Sequence, residues 1–167
     1  MATYGSVFTS ELPGLWAALE RPGVQVAIGA RVGLLGKDIH RSAVRHYLGR
    51  VFATAASLIL QARIYDTQCG AKLFRATPTL AAALAQPFIS RWAFDVELLG
   101  RLLAGEVGAP PLPLDAIVEV PLDVWHDVKG SKLGPGGMAR TAKDLARIGL
   151  DLAWRRRASR ARARSAS

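Results

Sequence analysis

Four stretches gather polar and special residues where a core pattern would not need them. Asp66-Thr67-Gln68-Cys69-Gly70-Ala71-Lys72 sets an acid, two side-chain hydrogen-bonding groups, a glycine and a lysine in succession, which suits a concave polar loop. Arg91-Trp92-Ala93-Phe94-Asp95-Val96-Glu97 places two carboxylates two positions apart at a helix start, where the helix dipole helps keep them ionised. Gly130-Ser131-Lys132-Leu133 is a flexible turn presenting a hydroxyl and an ammonium, and Arg31, with Arg41 and Ser42, flanks a loop containing Gly33 and Gly36. Carboxylates of this kind serve as proton acceptors or orient hydroxyls. Arginine grips phosphate oxygens bidentately and lysine as a point charge.

Each stretch also has a plainer reading. Asp66 could be a turn residue and Asp95 a helix N-terminal acid contributing a few tenths of a kcal/mol. The Gly130 turn lacks the P-loop pattern and a strand–helix frame. Cys69 has no recognisable base among His40, His46 and His126, and these histidines lack metal-ligand spacing.

The elements that must position these residues read as mixed α/β. Leu12, Leu15, Trp16 and Leu19 follow helical spacing, with Pro13 tolerable in the first turn. Val24–Ile28 reads as a strand, followed by a loop to about Ile39. Val44, Tyr47, Leu48, Val51, Phe52, Ala55, Leu58 and Ile59 form the apolar stripe of a long helix, expected to anchor the core with Phe52 fully packed. Thr77-Pro78 caps and opens a helix to about Ala85, and a second runs from Ala93 to Ala104. Val118, Val120, Leu122 and Val124 alternate with polar residues as in a half-buried strand, with Pro121 at an edge or bulge. Gly130–Gly137 is a glycine-rich loop, and an amphipathic helix runs from Thr141 to Arg156.

With 167 residues, half of them apolar and 21% charged, the chain can bury a core and is not disordered throughout. Its single cysteine excludes an intramolecular disulfide and fits a reducing compartment. No apolar run reaches the ~18–20 residues of a spanning helix, and the first 30 residues lack a secretory pattern. The net charge of +9 is concentrated: Arg155, Arg156, Arg157, Arg160, Arg162 and Arg164 lie in an end without one acid, and subtracting these six leaves +3. That end, 155–167, is expected to be a disordered, solvated tail. Specific nucleic-acid binding has no groove-reading motif or stacking platform to support it.

Taken together and in order, the stretches resemble the second half of family 2 glycosyltransferases, in the dolichyl-phosphate β-glucosyltransferase-like branch. D-T-Q-C-G-A-K-L-F, R-W-A-F-D-V-E-L-L and E-V-P-L-D-V-W-H-D-V-K-G-S-K-L carry the likeness, with I-G-A-R and R-S-x-x-R leading in. The branch usually has phenylalanine where Ala71 stands, and the match covers about residues 11–154. The resemblance implies an incomplete GT-A-type, Rossmann-like domain over 1–154, a short mixed sheet with flanking helices. It implies transfer of glucose or a related sugar from a nucleotide donor to a polyprenyl phosphate, at the cytoplasmic face of a membrane.

Carried over residue by residue, Asp95 matches the acid often assigned as catalytic base, with Glu97 beside it. Asp66, Gln68, Gly70 and Lys72 match the loop lining the sugar and acceptor site, and Arg91 and Trp92 the lead-in to Asp95. Arg31, Arg41, Ser131 and Lys132 match positions that meet donor diphosphate or lipid phosphate. An acceptor phosphate is already anionic, so Asp95 would orient sugar hydroxyls rather than act as a strong base.

The family's nucleotide-binding strands end in an Asp-x-Asp holding a divalent cation, magnesium or manganese. No Asp-x-Asp occurs in this chain and Met1–Ser10 has no acid, so the resemblance implies an acceptor-side portion that binds no cation by itself. Two classes of function follow: a transferase completed by a donor half, or an inactive fragment acting as a basic peripheral module on anionic lipid. Without neighbouring strands, Val24–Ile28 is expected to leave an open sheet edge through which a homodimer could pair.

Overall fold

The computed structural model describes residues 9–32, 38–40, 43–126 and 135–165. The chain divides into two compact units: 1–54, 64–75 and 115–133 form the first, and 55–63, 76–114 and 134–167 the second.

In the first unit, a 3₁₀ turn Thr9–Glu11 leads into α1 (Leu12–Leu19), with a proline in its opening turn as the spacing predicts. The sheet has the order β3-β1-β4, from β1 (Val26–Ala30), β3 (Lys72–Phe74) and β4 (Ile117–Pro121). β1 pairs antiparallel with β3, Ala27 opposite Leu73, and parallel with β4, Ala27 opposite Val118. β1 is therefore the middle strand. The expected open edge at 24–28 is overturned, because 72–74 and 117–121 take both sides. Leu15, Ala18 and Leu19 of α1 pack with Ala27, Cys69 and Leu122 in one buried cluster, flanked by Leu73, Val118 and Val120. Arg75 closes the end of α1, donating from Nη2 to the Leu19 carbonyl at 2.5 Å and from Nε to Val24 at 3.2 Å.

The strand expected around Val118–Val124 is broken after Pro121, which lacks the N–H a ladder needs. It resumes as β5 (Val124–His126), parallel to β2 (Asp38–His40), where a loop to Ile39 was expected. Glu11 holds the break, accepting from the backbone N–H groups of Asp123 and Val124 at 3.0 Å each.

α2 (Ala43–Leu60) has the expected length but not the expected face. Val51 and Leu58 of the stripe are 69% and 75% exposed, whereas Ala56 and Leu60 are buried and Phe52 is only half-buried. The helix carries alanine or a larger apolar residue on nearly every side here, so period alone does not choose the buried face.

In the second unit, α3 (Pro78–Leu84) is capped by Thr77, whose Oγ1 accepts from Leu80 N at 3.3 Å. α4 (Phe94–Ala104) buries Val96, Leu99 and Leu102 and packs against α5 (Pro135–Ser165), which buries Leu145, Ile148 and Leu152. A Cβ at Gly100 would lie 2.2 Å from Leu152 Cδ1, and Leu152 is fully buried with nowhere to turn. Gly100→Ala should therefore destabilise the protein by about 1–3 kcal/mol in denaturant melts, as overpacked cores do. A neutral or stabilising result would mean that α4 and α5 separate easily.

α5 also corrects the expected tail. It begins at Pro135, inside the presumed glycine loop, and continues through Ser165, so that 155–165 is helical where a disordered end was expected. Alanine and arginine are among the strongest helix formers, and Arg155 bonds Asp151 Oδ2 at 2.6 Å within the helix.

Candidate functional site

Parallel β1 and β4 place their C-terminal ends side by side, the position where open α/β sheets bind ligands. Arg31 follows the last residue of β1, and the 66–72 loop meets it there. Arg31 Nε donates to Asp66 Oδ2 at 2.6 Å, Nη2 donates to Oδ1 at 2.7 Å, and the Arg31 backbone N–H donates to Oδ2 at 3.1 Å. This is a forked, largely buried pair with both carboxylate oxygens engaged. The chain must come close to form it. A Cβ on Gly29 would sit 2.8 Å from Leu122 Cδ2 and 3.0 Å from Ala71 Cβ, and Gly29 N donates to the Ala71 carbonyl at 2.7 Å.

Glu119 of β4 fixes the other side of the loop, accepting from Tyr65 N and Asp66 N at 3.0 Å each. Lys72 Nζ donates to the Cys69 carbonyl at 2.5 Å. The loop keeps Asp66, Cys69 and Lys72 together and brings Arg31, which the sequence set apart beside Arg41 and Ser42, against them, with Gln68 half-buried and Gly70 exposed.

Cys69 is buried, and burial, then the Asp66 charge, push its thiol from 9.0 up to about 11. That disfavours a thiolate nucleophile. Native protein at pH 8 should react with iodoacetamide at least about a hundredfold more slowly than unfolded protein, since two pH units separate the thiolate populations. Because the folded pKa is the higher one, the thiol's contribution to stability is complete below about pH 9 and is lost as pH rises through about 11. Equal native and unfolded alkylation rates would show an accessible thiolate.

The second unit holds the carboxylates. Asp95 stands half-buried in the first turn of α4. The turn before it is pinned by Ser90, whose Oγ accepts from Trp92 N at 3.2 Å and Ala93 N at 3.0 Å and donates to Asp144 Oδ2 at 2.8 Å. Arg91 and Trp92 are exposed beside it.

Glu97 corrects the expectation of a second catalytic carboxylate. It is 0% exposed; its Oε1 accepts from Arg101 Nη2 at 2.6 Å and its Oε2 from Ile89 N at 2.8 Å. Both oxygens hold the core together. Arg41, Ser131 and Lys132 lie outside the described residues.

Among the described residues no three His, Cys, Asp or Glu side chains gather as a cation site. Asp66 and Glu119 have their oxygens on Arg31 and on backbone amides, so the loop does not fit a divalent cation.

The chain is 35% identical to the dolichyl-phosphate β-glucosyltransferase of Dictyostelium discoideum over 139 residues, 78% of this chain and 38% of that protein. The Saccharomyces cerevisiae enzyme of the same name is 34% identical over 125 residues, covering 72% of this chain and 34% of its own length. The Homo sapiens one is 34% identical over 135 residues, covering 78% and 39%. These relatives match about three quarters of the chain, which is consistent with a partial, dolichyl-phosphate glucosyltransferase-like protein of glycosyltransferase family 2. The chain spans less than two fifths of the length of these relatives. No protein-family model matches it, and no solved structure does.

The α/β architecture with a small mixed sheet is consistent with an incomplete, Rossmann-like GT-A domain. Glu119, Glu11 and Ser90 were not among the residues singled out from sequence. Glu119 reads there as the polar side of an alternating strand, and nothing local signals a carboxylate that grips amides more than fifty residues away.

Proposed function

We propose that this chain supplies the acceptor side of a transferase that moves glucose, or a related hexose, from a nucleotide donor to a polyprenyl phosphate. The observation that carries the reading is the Arg31–Asp66 fork at the C-terminal ends of the parallel strands, formed between two of the stretches that carry the resemblance. An acceptor phosphate oxygen attacks the anomeric carbon as the bond to the nucleoside diphosphate breaks. No proton need be removed, because the nucleophile is already an anion. Arg31 and Lys72 supply positive charge at the loop, Arg41, Ser131 and Lys132 are assigned to phosphate oxygens, and Asp95 orients sugar hydroxyls. Gln68 and Gly70 are assigned to the sugar and acceptor loop of the first unit, and Arg91 and Trp92 to the lead-in to Asp95 in the second. The divalent cation of the full family domain, magnesium or manganese, is assigned to a donor half, and no step here runs through it. We assign the protein to the cytoplasmic face of a membrane, peripherally, where a lipid-linked acceptor would be met.

Assays with nucleotide glucose, magnesium and a short polyprenyl phosphate test the reading. The chain alone should give no turnover above a no-protein control, and joined to a nucleotide-binding half it should transfer. In that joined form Asp95→Asn should lower turnover about tenfold or more without moving the melting midpoint, the scale of one positioned polar group. Full turnover by the chain alone would overturn the acceptor-side assignment. No transfer by the joined form would overturn the transferase reading, and unchanged turnover in Asp95→Asn would remove Asp95 from the site.

A further inference from the structure

A cavity of about 300 Å³ opens in the second unit, floored by Leu60, Leu103, Leu112 and Leu114. Its wall from α5 carries Arg156, Ser159 and Arg160, and no acid stands among its described lining residues. The wall exists because 155–165 is helical: positions i, i+3 and i+4 then share one face.

Neighbouring arginines have different surroundings. Arg155 is neutralised by Asp151 and Glu106. Arg156 donates only from Nη2, to the carbonyls of Ile59 at 2.7 Å and Leu60 at 3.1 Å, which leaves its Nε and Nη1 unbonded among the described residues. Ser159 and Arg160 have no hydrogen bond or ion pair among the described residues either. Like charges four apart on a helix repel, and burial, then Arg160, push the Arg156 pKa down. An anion between the two guanidiniums relieves that repulsion.

We propose that this cavity binds the phosphate headgroup of an anionic bilayer phospholipid. The two guanidiniums and the Ser159 hydroxyl hold phosphate oxygens, and the leucine floor receives the start of an acyl chain. The lining offers no aromatic platform for a nucleotide base. The same helix continues through Arg157, Arg162 and Arg164 without an acid, a charge that accumulates at an anionic leaflet. The site uses none of the residues assigned to sugar transfer, so it stands or falls separately from that function.

The test titrates the whole chain with monomeric short-chain phosphatidic acid, the matching phosphatidylcholine and inorganic phosphate, then floats it on phosphatidylcholine vesicles with and without phosphatidic acid. The short-chain acid should bind saturably, at least about tenfold more tightly than either other ligand. Arg160→Ala and Leu114→Asp, at the wall and floor, should each weaken it about tenfold, the scale of a lost charged hydrogen bond or apolar contact. Arg157→Ala removes the same charge outside the cavity and should change binding less than about twofold. Flotation should require phosphatidic acid and fall in the two cavity variants, with circular dichroism showing all three variants folded. Equal losses in Arg157→Ala and Arg160→Ala would overturn the proposal in favour of diffuse surface charge. So would equal affinity for inorganic phosphate, monomer binding without flotation, or duplex DNA binding that Arg160→Ala abolishes.

Discussion

Arg101→Met should cost about 3–5 kcal/mol in denaturant melts, the cost of removing one partner from a buried ion pair. The Arg101 side chain is only 2% exposed in the core of the second unit. Its Nη1 donates to the carbonyls of Ala83 at 2.9 Å and Gln86 at 2.7 Å, and its Nη2 to Pro87 at 2.8 Å and to Glu97 at 2.6 Å. The guanidinium also lies over the Phe88 ring at 4.8 Å, which meets Phe94 edge-on at 6.0 Å. One side chain thus closes the end of α3, neutralises a carboxylate and joins an aromatic pair. Methionine fills the volume but leaves three carbonyls unbonded and the Glu97 charge without its partner. Glu97→Gln should cost less, about 1–3 kcal/mol, because Arg101 keeps its carbonyl acceptors and the amide keeps the shape. A cost for Arg101→Met within the roughly 0–1 kcal/mol of an exposed pair would show that water reaches this core.

That pair marks one limit of what the sequence discloses. Asp95 and Glu97 are equivalent on paper, two acids in the first turn of a helix. The structure separates them by facing: Glu97 turns toward the arginine one helical turn later, and Asp95 does not enter that pair. Elements whose signals are local were legible, including the Pro13 start of α1, the Thr77 cap of α3 and the extent of α4. The meeting of Arg31 with the 66–72 loop was not legible, since no local rule pairs residues 35 positions apart and the family likeness assigned the two stretches separately. The inward face of α2 was misread because several of its faces are apolar. The α5 extension was misread because a run of like charge suggested repulsion, whereas alternating alanine and arginine favour a helix. The middle position of β1 was missed because it depends on β3, a strand of three residues, and on pairing with β4 from Val26 to Ile117, far along the chain.

The Arg31–Asp66 fork sets the second large expectation. Asp66→Ala should destabilise the protein by roughly 2–4 kcal/mol, below the limit for a fully buried pair because both side chains keep some exposure. Removing the carboxylate takes the acceptor from two guanidinium donors and from the Arg31 backbone N–H at once. Arg31→Met should cost less, since Asp66 would still accept that backbone N–H. A double-mutant cycle over these two substitutions separates the pair from its surroundings, and its coupling should be about 1.5–3 kcal/mol. The functional expectation has a different sign pattern from a stability defect. If Asp66 serves to aim Arg31 at an acceptor phosphate, binding of a short polyprenyl phosphate should fall about tenfold in either single variant, measured well below both melting midpoints, and no further in the double. Losses that multiply would mean the two residues act separately. Binding unchanged in Arg31→Met, despite a broken fork, would make the pair a structural clasp of the loop and move the phosphate elsewhere.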